Sequence, residues 1–203
     1  MSATTQGPTL SRPRKGFLGP QSVTQILDAL ERLCGTSARD TLQREARLFR
    51  VPKWDEPVRE EKVARLHQTL RRLFPDKAQS VERDAGRATT DYILDTRVSE
   101  HGQRLLSMTR KPVAVWMLTR AAHQHGWAFH GSGRFRVNRP LEYEVIANPV
   151  CKGERSDHPV CHYHAAAFER LYQRLVDPRM TCREVACTAM GDPSCRFRIG
   201  IPE

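Results

Sequence analysis

The sequence predicts an α+β fold. N-terminal helices pack on a small antiparallel sheet, with one long helix inserted before a C-terminal hairpin. Three observations carry this. Apolar residues recur at helical spacing to about residue 125, then switch to strand-like alternation. One strongly amphipathic helical stretch returns at 161–176. Finally, Gly191-Asp192-Pro193 separates two strand-like arms at the end of the chain. Helices first and strands afterwards is an α+β order.

Each element has a local reason. Val23, Ile26, Leu27, Leu30 and Leu33 give a helix from Gln21 to Cys34, with Gly35 as its stop. A second, basic helix is predicted over 38–50. Pro52 and Pro57 bracket a loop carrying Trp54. Val63, Leu66, Leu70 and Leu73 form the stripe of a helix over 58–74, ended by Pro75. Helical spacing continues over 76–95, 98–108 and 112–125. Trp127 to Val137, with Gly131 and Gly133, reads as strand, turn and strand. Leu141, Tyr143, Val145 and Ala147 alternate with Glu142 and Glu144 as a half-buried strand. Cys161, His164, Ala165, Phe168, Leu171, Tyr172 and Leu175 share one face of the long helix, which Asp177-Pro178 ends. The hairpin arms are Thr181 to Met190 and Cys195 to Ile201.

The chain of 203 residues and 23.2 kDa suits one domain of roughly 100–200 residues. Residues 1–20, rich in Pro and Gly, read as a flexible tail. Residues 21–203 read as a single ligand-binding domain, helical over 21–125 and sheet-forming over 126–203. No run of about 18 apolar residues suggests a membrane span. The first residues show no apolar signal core, so a cytoplasmic location is expected. Lys and Arg number 33 against 23 Asp and Glu, a formal charge of +10. That charge favours acidic partners, and basic N-terminal helices suit peripheral contact with an acidic protein or membrane. No finger, RNP or basic-arm pattern accompanies it, so nucleic acid is not expected.

Five of the six cysteines, Cys151, Cys161, Cys182, Cys187 and Cys195, follow residue 150; Cys34 stands apart. In a reducing compartment, clustered cysteines point to metal or redox chemistry. A tight hairpin can bring Cys187 and Cys195 to one ion. Glu184 lies three residues before Cys187, and Cys161 starts the long helix. These four can complete the tetrahedron that zinc prefers. Cys151, Cys182, His158, His162 and His164 compete for the same places, and buried, metal-free thiols are the plain alternative. Three thiolates and a carboxylate around a divalent cation leave a charge of about −2, which Arg183, Arg196 and Arg198 are near enough in sequence to offset.

The segment Pro159-Val160-Cys161-His162-Tyr163-His164-Ala165, with Glu184-Val185-Ala186-Cys187 and Gly191-Asp192-Pro193-Ser194-Cys195-Arg196-Phe197, resembles the 4-vinyl-reductase domain family. Trp127 to Phe135 and Thr90 to Leu94 align it with the branch from photosynthetic purple bacteria. The resemblance covers roughly 20–203. It implies an α/β ligand-binding fold shared with aromatic-sensing regions of bacterial activators and similar to vesicle-tethering subunits. It also implies a structural zinc site of three Cys and one Glu, matching Cys161, Glu184, Cys187 and Cys195. For the photosynthetic branch it implies a part in reducing the 8-vinyl (4-vinyl in older nomenclature) group of a divinyl chlorophyllide-type intermediate.

Reducing a vinyl group needs an electron source. Gly131-Ser132-Gly133 is only GxG, and the cysteine spacing is not a ferredoxin run. The expected role is therefore that of a carrier or accessory protein for a magnesium porphyrin or chlorophyllide, working beside other enzymes of bacteriochlorophyll biosynthesis. The alternatives are the reductase itself, with another donor, and a small-aromatic sensor or assembly subunit. Such a pigment calls for an apolar slot, a basic rim and an axial histidine. Trp116, Trp127, Phe129, Phe135 and Tyr143 are slot candidates. His130 and His164, with His123 and His125, are candidate polar contacts, and Arg134, Arg136 and Arg139 candidate carboxylate partners. Ordinary core or surface packing is the competing reading for each. Relatives of this fold pair, so a homodimer is also expected.

Overall fold

The computed structural model describes residues 15–125 and 130–202. Strand β1 (Phe17–Leu18) pairs antiparallel with β2 (Val58–Arg59). Helices α1 (Gln21–Cys34), α2 (Thr36–Glu45), α3 (Glu60–Leu73), α4 (Pro75–Arg97), α5 (Glu100–Met108) and α6 (Lys111–His125) follow the chain order predicted. Strands β3 (Arg134–Arg139) and β4 (Glu142–Ile146) lead to helix α7 (His162–Leu175), and β5 (Thr181–Ala186) and β6 (Ser194–Gly200) close the chain. The second sheet runs β3-β4-β6-β5, antiparallel throughout. The α+β prediction therefore holds, including the late helix and the terminal hairpin.

Several boundaries differ for physical reasons. Residues 15–20 are not part of a tail: Leu18 is buried and Phe17–Leu18 are held in a strand. The basic second helix stops at Glu45, because Arg47 takes a positive φ of 52° and Phe49 points into solvent. The first strand of the second sheet starts at Arg134, after a turn in which the Gly133 N–H donates to the His130 carbonyl at 2.7 Å. Pro75 separates α3 from α4 as expected. It forces Phe74 out of helical geometry, to φ −131° and ψ 56°, and opens the next helix at its first position.

Two apolar cores result. One joins Val23, Ile26, Leu30, Leu66, Leu70 and Val81 among α1, α3 and α4. The other joins Val115 and Leu118 of α6 to Tyr143, Val145, Phe168, Tyr172 and Phe197 around the four-stranded sheet. Helix α7 serves both, with Tyr163 in the first and Phe168 and Tyr172 in the second. It crosses α4 closely at Gly86, where an added Cβ would overlap the Tyr163 carbonyl and lie 3.1 Å from Ala166 Cβ. Thr89 and Thr90 secure the crossing, to the Tyr163 hydroxyl and the Ala167 carbonyl, both at 2.9 Å.

Gly86→Ala tests this crossing. Alanine favours helix, but overpacking costs about 1–3 kcal/mol. We expect a net loss of stability in denaturant titration, where an exposed helical glycine would show a gain.

Candidate metal centre

Four thiols from three chain segments converge beside the second core. Cys151 ends a 3-10 turn, Pro149–Cys151, that follows β4. Asn148 builds this turn. Its side-chain oxygen accepts the Val150 N–H at 3.1 Å, while its amide nitrogen donates to Cys161 Sγ at 3.3 Å. Cys161 caps the N-terminus of α7, Cys187 follows β5, and Cys195 lies on β6 opposite Val145. All four sulfurs are buried and lie within 4.8 Å of one another. Cys151 to Cys195 and Cys161 to Cys195 are 3.6 Å apart, and Cys151 to Cys161 is 3.7 Å.

These separations test the fit of a metal. Four sulfurs at about 2.3 Å around one tetrahedral ion stand about 3.8 Å apart. The three measured edges approach that spacing. Cysteines binding an iron–sulfur cluster must surround several irons and stand further apart, so the spacing suits a single ion. The electrostatics agree. Hydrogen bonds from Cys151, Cys161 and Cys187 hold Cys195 far below the usual thiol range. Those same contacts and burial raise Cys161. A divalent cation would stabilise all four as thiolates.

Glu184, the carboxylate matched by resemblance, borders this group. Its Oε2 accepts the Cys161 N–H at 2.7 Å, and its Oε1 is buried without a hydrogen bond. Burial, then repulsion from Cys187 and Cys195, pushes its pKa up to about 10. A bulge in β5 between Glu184 and Ala186 helps place both Glu184 and Cys187 at the centre. The structure thus unites Cys161, Cys187 and Cys195 as the sequence suggested. It adds Cys151, which the sequence offered only as a competitor. Cys182 is buried but outside the group, its N–H donating to Glu169 at 3.1 Å. His158 is exposed and pairs with Asp157 at 2.6 Å. His164 packs against the rings of Tyr163, Phe168 and Phe197.

Sequence reasoning missed the residues that hold the centre from outside. Arg71 of α3 donates to the carbonyls of Val150 and Val160, each one residue before a cysteine of the group, at 3.3 and 3.4 Å. It also pairs with Glu154 at 2.6 Å and with Glu82, which is fully buried and bonded to His67 at 3.0 Å. Gln68 adds a bond to the Lys152 carbonyl at 3.1 Å. On the cysteine side, Thr188 Oγ1 lies 3.0 Å from Cys151 Sγ. The only sequence signal for Arg71 was a charge at the edge of an apolar stripe, a position usually solvated.

The pigment-slot candidates are scattered. Phe135 and Tyr143 meet at 5.3 Å, and Tyr143 meets Phe168 at 5.1 Å. The Tyr143 and Tyr172 hydroxyls share a 2.6 Å hydrogen bond inside this aromatic layer. Trp116 is not in it: it is 61% exposed on the outer side of α6. His130 sits at the turn before β3, half-buried. Trp127 and Phe129 lie outside the described residues, as do the side chains of His123 and His125. The Gly131-Ser132-Gly133 turn is already engaged. The Ser132 N–H and hydroxyl both donate to Glu60, at 2.6 Å. A Cβ on Gly133 would crowd the Ile146 and Ala147 carbonyls.

Removing the Arg71 clamp by Arg71→Ala frees both loop carbonyls and strands Glu82. Loss of such outer support typically weakens metal binding about 10–100-fold. A competition titration with a chromogenic chelator reads the change, and Arg72→Ala, on the exposed side of α3, is expected to leave affinity unchanged.

Comparison with known proteins agrees with these motifs. Residues 141–201 match the model of the 4-vinyl-reductase domain. The chain is 41% identical over 197 residues to the bacteriochlorophyll synthase 23 kDa chain of Cereibacter sphaeroides, covering 96% of this chain and 94% of that one. It is 32% identical over 199 residues to the protein of that name in Rhodobacter capsulatus, covering 97% and 92%. Among solved structures, an H-NOX protein from S. oneidensis in the Fe(II)NO ligation state aligns at TM-score 0.58 and 13% identity, over 92% of this chain and all of that one. The phenol-responsive sensory domain of the transcription activator PoxR aligns at TM-score 0.50 and 14% identity, over 81% and 90%. The two structural likenesses concern the fold alone. By its identity across nearly the whole of both sequences, the protein belongs to the family of the bacteriochlorophyll synthase 23 kDa chains, with a 4-vinyl-reductase domain in its C-terminal part.

Proposed function

We propose that this chain acts in bacteriochlorophyll biosynthesis as a pigment carrier or accessory protein. It binds a magnesium porphyrin or divinyl chlorophyllide-type intermediate and supports reduction of its 8-vinyl group beside other enzymes of that synthesis. The observation that carries this is the 41% identity, over nearly the full chain, to a protein named as a bacteriochlorophyll synthase chain. The fold adds support. H-NOX proteins of this fold are described through their heme, itself a flat tetrapyrrole. The apolar layer between α6 and the sheet, with Val115, Leu118, Phe135, Tyr143 and Phe168, is the place we assign to such a ligand. Arg134 and Arg136 on β3 flank that layer and suit a ligand carboxylate.

A carrier or accessory role is favoured over the reductase itself by the glycine turn. Its backbone N–H at Ser132 is taken by Glu60 rather than offered to a dinucleotide phosphate. The phenol-sensing domain of the same fold supports a second reading, a sensor of small aromatic compounds. We further propose that the four-thiol centre holds a structural zinc ion through Cys151, Cys161, Cys187 and Cys195. Glu184 then orients Cys161 through its backbone N–H. A site with four protein ligands leaves no open position. The ion's part is to tie α7 and the 148–151 turn to the terminal hairpin.

Two measurements test these readings. Purified protein is expected to hold about one zinc per chain, by elemental analysis, and to lose it in Cys195→Ser. Cys151→Ser is expected to lose it as well, while Glu184→Gln retains it. The reverse result would restore the ligand set of three cysteines and Glu184. Absorbance titration with magnesium protoporphyrin monomethyl ester and divinyl protochlorophyllide is expected to give a saturable red shift near one equivalent, without NADPH. Turnover by this protein alone with NADPH would establish the reductase. Binding of phenol without either pigment would establish the sensor.

A further inference from the structure

Helices α5 and α6 carry two outward stripes that the fold does not cover. On α5, His101, Arg104, Leu105 and Met108 are exposed at helical spacing, and on α6 so are Val113, Trp116, Met117 and Arg120. Met108 is 85% exposed and Trp116 61%. Single exposed apolar residues are ordinary, but two successive helices joined by Thr109-Arg110, each bearing such a stripe, are not. The inner sides are accounted for: Leu106, Val115 and Leu118 pack on the second core, and Gln103 bonds the Leu94 and Val98 carbonyls at 2.9 and 3.0 Å.

The charge around these stripes is one-sided. From His101 to Leu141 the chain contains no Asp or Glu. Lys111 pairs with Asp177. Arg104, Arg110 and Arg120 make no ion pair among the described residues. An apolar face with an aromatic residue, rimmed by unpaired arginines and free of carboxylates, complements an anionic lipid surface. Trp, Leu and Met enter the headgroup boundary, and Arg reaches the phosphates. Two further exposed aromatics, Phe49 and Trp54, lie in a loop containing Asp55 and Glu56 and lack that complementarity. No helix among the described residues is long and apolar enough to cross a membrane, so contact of this kind is peripheral.

We infer that the outer stripes of α5 and α6 form a docking surface for an anionic bilayer. This surface differs from the basic N-terminal helices suggested by charge along the sequence, and it does not depend on the pigment reading. Co-sedimentation of the purified full chain with vesicles tests it. Binding is expected to phosphatidylcholine vesicles containing phosphatidylglycerol, and not to phosphatidylcholine alone, and to weaken as salt rises. Arg104→Gln, Arg110→Gln and Arg120→Gln should each weaken it about fivefold. The pair Met108→Ser and Trp116→Ser should weaken it more than about tenfold, with the circular dichroism spectrum unchanged because both side chains are exposed. Phe49→Ser should bind as the parent does. The inference is overturned by absence of binding to the anionic vesicles at low salt. Equal binding to neutral vesicles would also overturn it, as would a dimer in solution that the α5 and α6 substitutions dissociate.

Discussion

Much of this structure depends on keeping four sulfurs and a carboxylate together away from water. Thiols and carboxylates in one dry place oppose one another's ionisation, and Glu184 shows it in its raised pKa. Such crowding persists only where the backbone enforces it. Here the force comes from several directions: Asn148 bridges the Cys151 turn to Cys161, Glu184 grips the start of α7, and Asp192 holds the Cys187 N–H at 2.8 Å. Arg71 reaches across from the helical part to fix both approaches. A bound cation would turn this mutual repulsion into the attraction that fastens α7 to the sheet.

Much of this was legible in the sequence. The α5–α6 stretch, the long α7 and the terminal hairpin follow from periodicity and turn chemistry, because their apolar residues fall on one face. Cys187 and Cys195 were readable because a hairpin is a local structure. Cys151 was harder to place. Its position depends on the Asn148 turn and on a register between β4 and β6 that no short-range pattern encodes. Glu60, Glu82 and Arg71 were invisible for a related reason: their partners lie far along the chain, and a charged residue on a helix is read as solvated until its neighbours are known. The tail was overextended to Pro20 because Pro and Gly signal loops, while the pairing that orders Phe17–Leu18 comes from Val58–Arg59.

The aromatic layer and the centre divide the work. Phe135, Tyr143, Phe168 and Tyr172 pack through ring edges and one shared hydroxyl bond, a contact set that tolerates small displacements. The thiol centre tolerates none, since metal geometry is specific to tenths of an ångström. A rigid corner beside an adaptable layer suits a domain whose relatives in fold accommodate ligands as different as heme and phenol.

The straddling position of α7 has a consequence for how the molecule comes apart. Its Tyr163 completes the helical core while its Phe168 and Tyr172 complete the sheet core. Neither half owns the helix, so neither can melt while the other stays intact. A cut in the chain between α6 and β3 would therefore yield two fragments, each missing a wall of its own interior. The upstream piece would expose the groove of α4 around Gly86, and the downstream piece the Tyr163 side of α7. The two surfaces are complementary to each other, so the fragments would regain order only by reassociating.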